Sequence, residues 1–102
     1  MAYKIVKISP DGNITQEVQA KAPKYEEIRN YVGGLIQQVP HLHKIDCMDL
    51  KRGQMWVNEE GTLLNLSYNP VATKIWLENL GSGPFSYKPR LYGNAMYWAK
   101  VK

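Results

Sequence analysis

Turn signals recur along this chain so often that every element between them must be short. Pro10-Asp11-Gly12-Asn13, Lys51-Arg52-Gly53 and Glu59-Glu60-Gly61 each combine residues that preset φ or tolerate positive φ. Pro23, Pro40 and Asn69-Pro70 add further breaks. The chain is therefore restricted to hairpins and brief helices, and the periodicity between breaks decides which is which.

Residues 2–8 alternate, with Tyr3, Ile5 and Lys7 on one face and Lys4, Val6 and Ile8 on the other. Residues 14–20 resume extended character after the Pro-Asp-Gly-Asn turn, so the chain opens with a hairpin. Pro23 suits a first helical turn, and Glu26 and Glu27 complement its positive end. Tyr25, Ile28, Val32, Leu35, Ile36 and Val39 then recur at helical spacing, which predicts a helix running through Gly33-Gly34 to a stop at Pro40. Strands are expected over residues 43–50, 54–58 and 62–66. Asn69 caps a second helix, with Pro70 at its first position and Val71, Ala72, Ile75, Trp76 and Leu80 on its apolar face. Residues 81–90 read as a mobile loop, and residues 91–101 as a final aromatic strand. The order ββαβββαβ predicts an α+β fold with two helices and a mainly antiparallel sheet.

The 102 residues fit one domain, spanning 1–102. A chain of this size buries only about two-thirds of its unfolded surface, which favours a homo-oligomer. Thirteen basic against nine acidic residues give +4, which excludes an acidic mimic of DNA and suits anionic ligands. The basic residues are scattered, with no run beyond Lys51-Arg52, so a solvated surface explains most of them. The lone Cys47 cannot form an internal disulfide. The N-terminus enters a strand pattern at once, without signal-peptide anatomy, and no apolar run approaches the roughly 20 residues of a membrane helix. The cytoplasm is the expected location, with no membrane partner.

His41, His43 and Cys47 share one face if extended, and zinc accepts those ligand types. A closed site needs a fourth ligand, and neither Asp46 nor Asp49 shares the face, so no metal or other cofactor is expected. Glu59 and Glu60 are adjacent in a turn and cannot flank one bond as paired catalytic carboxylates do. No nucleophile elbow or phosphate-cradling loop is present, and no catalytic residue is assigned. The aromatic inventory says more. Three tryptophans and seven tyrosines supply flat apolar area with a hydrogen-bonding tip. Tyr87, Lys88, Arg90, Tyr92, Tyr97, Trp98 and Lys100 interleave rings with cations, a combination that stacks bases and neutralises phosphates. In the plainer account, Met96 and Trp98 are core and the tyrosines half-exposed sheet residues.

Val57-Asn58-Glu59-Glu60-Gly61 and Asn69-Pro70-Val71-Ala72-Thr73 resemble motifs of a family of short phage and mobile-element proteins, a domain of unknown function. Val32-Gly33-Gly34 in the first helix and Gly93-Asn94 opening the last strand fit the same pattern, and the match spans about residues 25 to 101. Two features depart from it: the insertion of residues 81–90, and Asn94 where the family often has aspartate. The resemblance implies a phage-type accessory protein. Proteins of that kind often blunt bacterial defences by holding a host protein or absorbing a nucleotide signal.

Residues and resemblance together predict a non-catalytic binder of a small anionic, nucleotide-like ligand or of a host factor. Its expected contacts are Asn58, Asn69, Thr73, Tyr87, Arg90, Tyr92, Asn94 and Trp98. A plainer role stands beside three of them: turn chemistry for Asn58, helix capping for Asn69, and a bond to its own helix backbone for Thr73. The alternative is a nucleic-acid-associated regulatory module using the same basic and aromatic groups.

Overall fold

The computed structural model describes residues 2–39, 42, 44–45, 50–61, 63–80 and 90–101. The N-terminal hairpin forms as its turn chemistry dictates: β1 (Ala2–Ile8) and β2 (Ile14–Gln19) pair antiparallel from Ile8–Ile14 to Tyr3–Gln19. Asp11 organises the turn. Its carboxylate accepts the Ser9 hydroxyl, the Asn13 N–H at 3.1 Å and the Asn13 amide at 3.0 Å. The Ser9 hydroxyl first, then the Asn13 N–H, hold this exposed carboxyl below its ordinary pKa.

Helix α1 (Tyr25–Val32) ends sooner than its periodicity predicts. Gly33 adopts φ 85°, and the N–H groups of Gly33 and Gly34 both close on Arg29 O, at 2.9 and 3.2 Å. This left-handed glycine cap stops the helix. The next residues leave as strand β3 (Ile36–Gln38), pairing antiparallel with β6 (Gln54–Asn58). Helical spacing of Leu35, Ile36 and Val39 is therefore coincidental, and Leu35 is exposed.

The single strand expected over residues 43–50 is also corrected. Strands β4 (Lys44–Ile45) and β5 (Leu50–Lys51) pair antiparallel with each other and so are not parts of one strand; residues 43 and 46–49 lie outside the described residues. Residues 63–66 form turns rather than a strand. Leu64 N–H bonds Glu60 O at 2.9 Å, Leu66 N–H bonds Gly61 O at 3.0 Å, and Asn65 sits at φ 54°. Local carbonyls satisfy these amides, leaving none for a ladder. Helix α2 (Pro70–Leu80) begins where Asn69-Pro70 predicts. The last strand, β7 (Ala95–Val101), starts later than residue 91 because Gly93, at φ 81°, redirects the chain.

The main sheet has order β2-β1-β7-β6-β3, and its strand pairs are all antiparallel. With two helices this is an α+β fold, in the order ββαββββαβ. Strand periodicity splits the core in two. On one face Ile5 and Met96 meet Ile28 and Val32 of α1, flanked by Tyr31, Ile36, Trp56 and Trp98. On the other, Val6, Ile8, Met55, Val57, Ala95, Tyr97 and Ala99 meet Ala72 and Ile75 of α2, with Leu42, Ile45 and Leu50. Tyr97 is fully buried there and donates to Leu50 O at 3.3 Å. Among the described residues, no helix is long and apolar enough to cross a membrane.

Candidate functional site

The residues singled out from the sequence separate into three places. Asn58, Asn69 and Thr73 are buried, and their side chains are engaged by the fold. The Asn58 amide donates to Val32 O at 3.2 Å, and its oxygen accepts the Glu60 N–H at 2.7 Å, joining the end of α1 to the turn after β6. Asn69 accepts the Ala72 N–H at 3.0 Å as a helix cap. Its amide also donates to Ile8 O at 3.0 Å and Gly93 O at 2.8 Å. The Thr73 hydroxyl accepts the Leu91 N–H at 2.9 Å. These groups hold the chain together across long sequence separations.

Asn94 and Trp98 lie on the α1 side of the sheet. Asn94 donates to Tyr31 O at 2.9 Å. Trp98 packs edge-on against Tyr3, with ring centroids 5.8 Å apart at 68°. The indole nitrogens of Trp56 and Trp98 are enclosed without an acceptor among the described residues. Tyr87 lies outside the described residues, as do His41, His43 and Cys47. Among the described ones, no three His, Cys, Asp or Glu side chains gather as a metal site.

Arg90 and Tyr92 come together on the opposite side, at the junction of β3, β6 and α2. Tyr68 and Tyr92 form an isolated antiparallel bridge, supported by Asn69 N–H to Leu91 O at 2.8 Å and Gly93 N–H to Ser67 O at 2.7 Å. Their rings meet edge to face, 6.0 Å apart at 61°. The Arg90 guanidinium stands 5.7 Å from the centre of the Tyr68 ring, a cation–π arrangement. Arg90 is exposed and forms no ion pair with the other described residues. Two shallow depressions of about 210 and about 100 Å³ share Gln37, Val57, Arg90 and Leu91 and make one groove. Trp76 closes one end and Tyr92, Gly61 and Glu59 the other. Gly61 permits this closeness, because a Cβ there would meet Tyr92 O at 3.1 Å.

Two larger hollows flank α1, and neither combines a free cation with a ring. The hollow of about 480 Å³ carries Glu26 one turn before Arg29 and no aromatic residue. The hollow of about 370 Å³ holds Lys7 against Glu17 at 3.4 Å, beneath Tyr31 and beside Glu27.

Tyr68, which lies against Arg90, and Gln37 of the groove were not among the residues chosen from the sequence. Tyr68 carried a usable signal, being an aromatic directly before the Asn69-Pro70 cap. Gln37 carried none, because its segment reads as helix. No family model, curated protein or solved structure matches this chain.

Proposed function

We propose that the chain is a non-catalytic binding protein that captures a small anionic, nucleotide-type ligand in the Arg90 groove. In this reading it is a phage-type accessory protein that counters bacterial antiviral defence by sequestering a signalling nucleotide. The observation that carries the reading is Arg90: an exposed guanidinium held over the Tyr68 ring, free of any ion pair among the described residues, beside an apolar floor of Val57 and Leu91. A guanidinium oriented by a ring offers its fork of donors to a phosphate, and the adjoining tyrosine offers an edge to a planar base. The net charge of +4 favours approach of an anion. Glu59 on the far rim orients the ligand, since its charge places the phosphate at the Arg90 end.

The groove volumes, about 210 and about 100 Å³, fall below the roughly 300–1,000 Å³ of enclosed small-molecule sites. They suit one phosphate and one ring rather than a whole dinucleotide. That openness also supports the second reading, a nucleic-acid-associated module in which the groove takes one nucleotide of a strand. Titration of nucleotides and of single-stranded oligonucleotides at two salt concentrations separates the two. Strand binding falls steeply with salt, with a logarithmic slope of about −0.7 for each phosphate neutralised, whereas one phosphate gives a shallow slope. Arg90→Ala is expected to lower nucleotide affinity at least about tenfold, the loss of one charge-assisted contact worth about 1.5–3 kcal/mol. The reading fails if no nucleotide binds below about 1 mM, or if Arg90→Ala binds as well as the parent.

A further inference from the structure

The free edge of β2 has properties that edge strands seldom keep. β2 is exposed from Ile14 through Val18, and its two aliphatic side chains are open to solvent, Ile14 at 40% and Val18 at 63%. Sheet edges are normally blunted by lysine, proline, bulges or shortness. The opposite edge, β3, is only three residues long. β2 runs for six residues, Ile-Thr-Gln-Glu-Val-Gln, with one charge, and it pairs with β1 without a bulge.

The hairpin closure determines which backbone groups remain unused. Ser9 N–H bonds Asn13 O at 3.0 Å, so Ser9 and Asn13 are a hydrogen-bonded pair. Bonded and non-bonded pairs alternate along an antiparallel ladder. Lys7–Thr15, Ile5–Glu17 and Tyr3–Gln19 are then bonded pairs within the hairpin. The amides and carbonyls of Ile14, Gln16 and Val18 point away from β1, along the free edge.

We propose that this edge pairs with β2 of a second copy, antiparallel about a twofold axis at Gln16, joining two five-stranded sheets into one. In that register Ile14 lies opposite Val18 of the second copy, and Gln16 lies opposite itself. All three outward-facing residues then exchange ladder bonds. Both aliphatic pairs fall on the α2 side of the sheet, continuing the face of Val6 and Ile8. On the α1 side Glu17 meets Thr15 of the second copy rather than another charge. Neighbouring registers are worse. An axis at Glu17 sets that carboxylate opposite itself, and like charges directly opposite destabilise a ladder. An axis at Thr15 sets Ile14 against Gln16 and Val18 against Gly12, leaving neither aliphatic side chain covered. The sequence of β2 is thus self-complementary in one register. The proposal does not depend on the ligand of the Arg90 groove.

Light scattering on the full chain tests it, with an expected mass of twice 11.7 kDa. Val18→Lys is expected to abolish the dimer while leaving the circular dichroism of the fold unchanged. Cysteine trapping in a Cys47→Ser background reads the register directly. Gln16→Cys places two Cα atoms about 5.5 Å apart, inside the roughly 4.4–6.8 Å that a disulfide bridges, and links on oxidation. Val18→Cys places its two copies about 14 Å apart, four residues along a strand at about 3.4 Å each, and stays unlinked. A monomer at concentrations up to about 1 mM overturns the proposal. A dimer indifferent to Val18→Lys, or trapping at Val18→Cys as fast as at Gln16→Cys, overturns it equally.

Discussion

Replacing Asn69 by Asp separates what a helix cap requires from what this fold requires. Aspartate and asparagine are nearly equivalent at an N-cap, so local reasoning predicts little change. The structure predicts otherwise, because Asn69 is fully buried and its amide donates to Ile8 O at 3.0 Å and Gly93 O at 2.8 Å. Aspartate keeps the acceptor for the Ala72 N–H but sets a second oxygen against those two carbonyls. Each carbonyl left without its donor costs about 1–3 kcal/mol, so the pair costs about 2–6 kcal/mol before the buried charge is counted. Such a loss is a large share of the roughly 5–15 kcal/mol that holds a domain folded. The fold disfavours the carboxylate, which raises its pKa above the unfolded value of about 3.9. A protonated carboxyl offers one O–H where the amide offers two N–H groups, so one carbonyl stays without a donor at every pH. Only the rest of the deficit is absent below that unfolded value and develops as pH rises through the folded pKa. Urea unfolding of the parent, Asn69→Asp and Asn69→Ala between pH 4 and pH 8 measures this. The Asp variant should be less stable than the parent by at least about 2 kcal/mol at neutral pH and recover part of that on acidification. Asn69→Ala should show a deficit that does not change with pH. An Asp variant within about 0.5 kcal/mol of the parent at neutral pH, the ordinary range of surface substitutions, would refute the bonds to Ile8 and Gly93.

Gly53→Ala should destabilise by about 3 kcal/mol, the upper end of overpacking, because its Cβ would lie 2.2 Å from the Tyr97 ring and 2.7 Å from Trp98 O. At roughly 4–8 °C per kcal/mol, thermal melting should fall by at least about 12 °C, and Tyr97→Leu in the same chain should restore part of the loss. Tyr97 itself is pushed up to about 12 by burial, against a hydrogen bond with the Gly53 backbone that acts the other way. The stability it contributes is full below the unfolded value of about 10 and is lost as pH rises through the folded one. Denaturant unfolding across that range should show the parent losing stability relative to Tyr97→Phe, and ultraviolet titration should show a late-ionising tyrosine that Tyr97→Phe removes.

The turn and cap chemistry was legible in the residues because it is local. Pro10-Asp11-Gly12-Asn13 closes its hairpin through bonds within the turn, and Asn69-Pro70 starts α2 through a bond three residues long. The α+β class follows from such breaks. Gly33 was legible as an interruption, but its consequence was not. Whether residues 36–38 continue a helix or join a sheet depends on β6 offering an unpaired edge, and β6 is distant in sequence. Residues 63–66 left the ladder for a local reason, since the Leu64 and Leu66 N–H groups close on Glu60 O and Gly61 O.

Candidate ligand residues divided along the same line. Polar type alone marked Asn58, Asn69 and Thr73 as possible contacts. Tertiary structure spends all three inside, on Val32 O, on Ile8 O and Gly93 O, and on the Leu91 N–H. Arg90 became the centre of the groove because the Tyr68–Tyr92 bridge brings a ring beneath it, and that bridge joins segments 24 residues apart in contact through Asn69 and Gly93. Sequence by itself determined the turns at residues 10–13, 51–53 and 59–61, where the second helix begins and how the first strand alternates, since each depends on neighbours along the backbone. Only the tertiary structure decided which edges pair, which asparagines are buried and which arginine lies over a ring, because those outcomes depend on groups that meet only after folding.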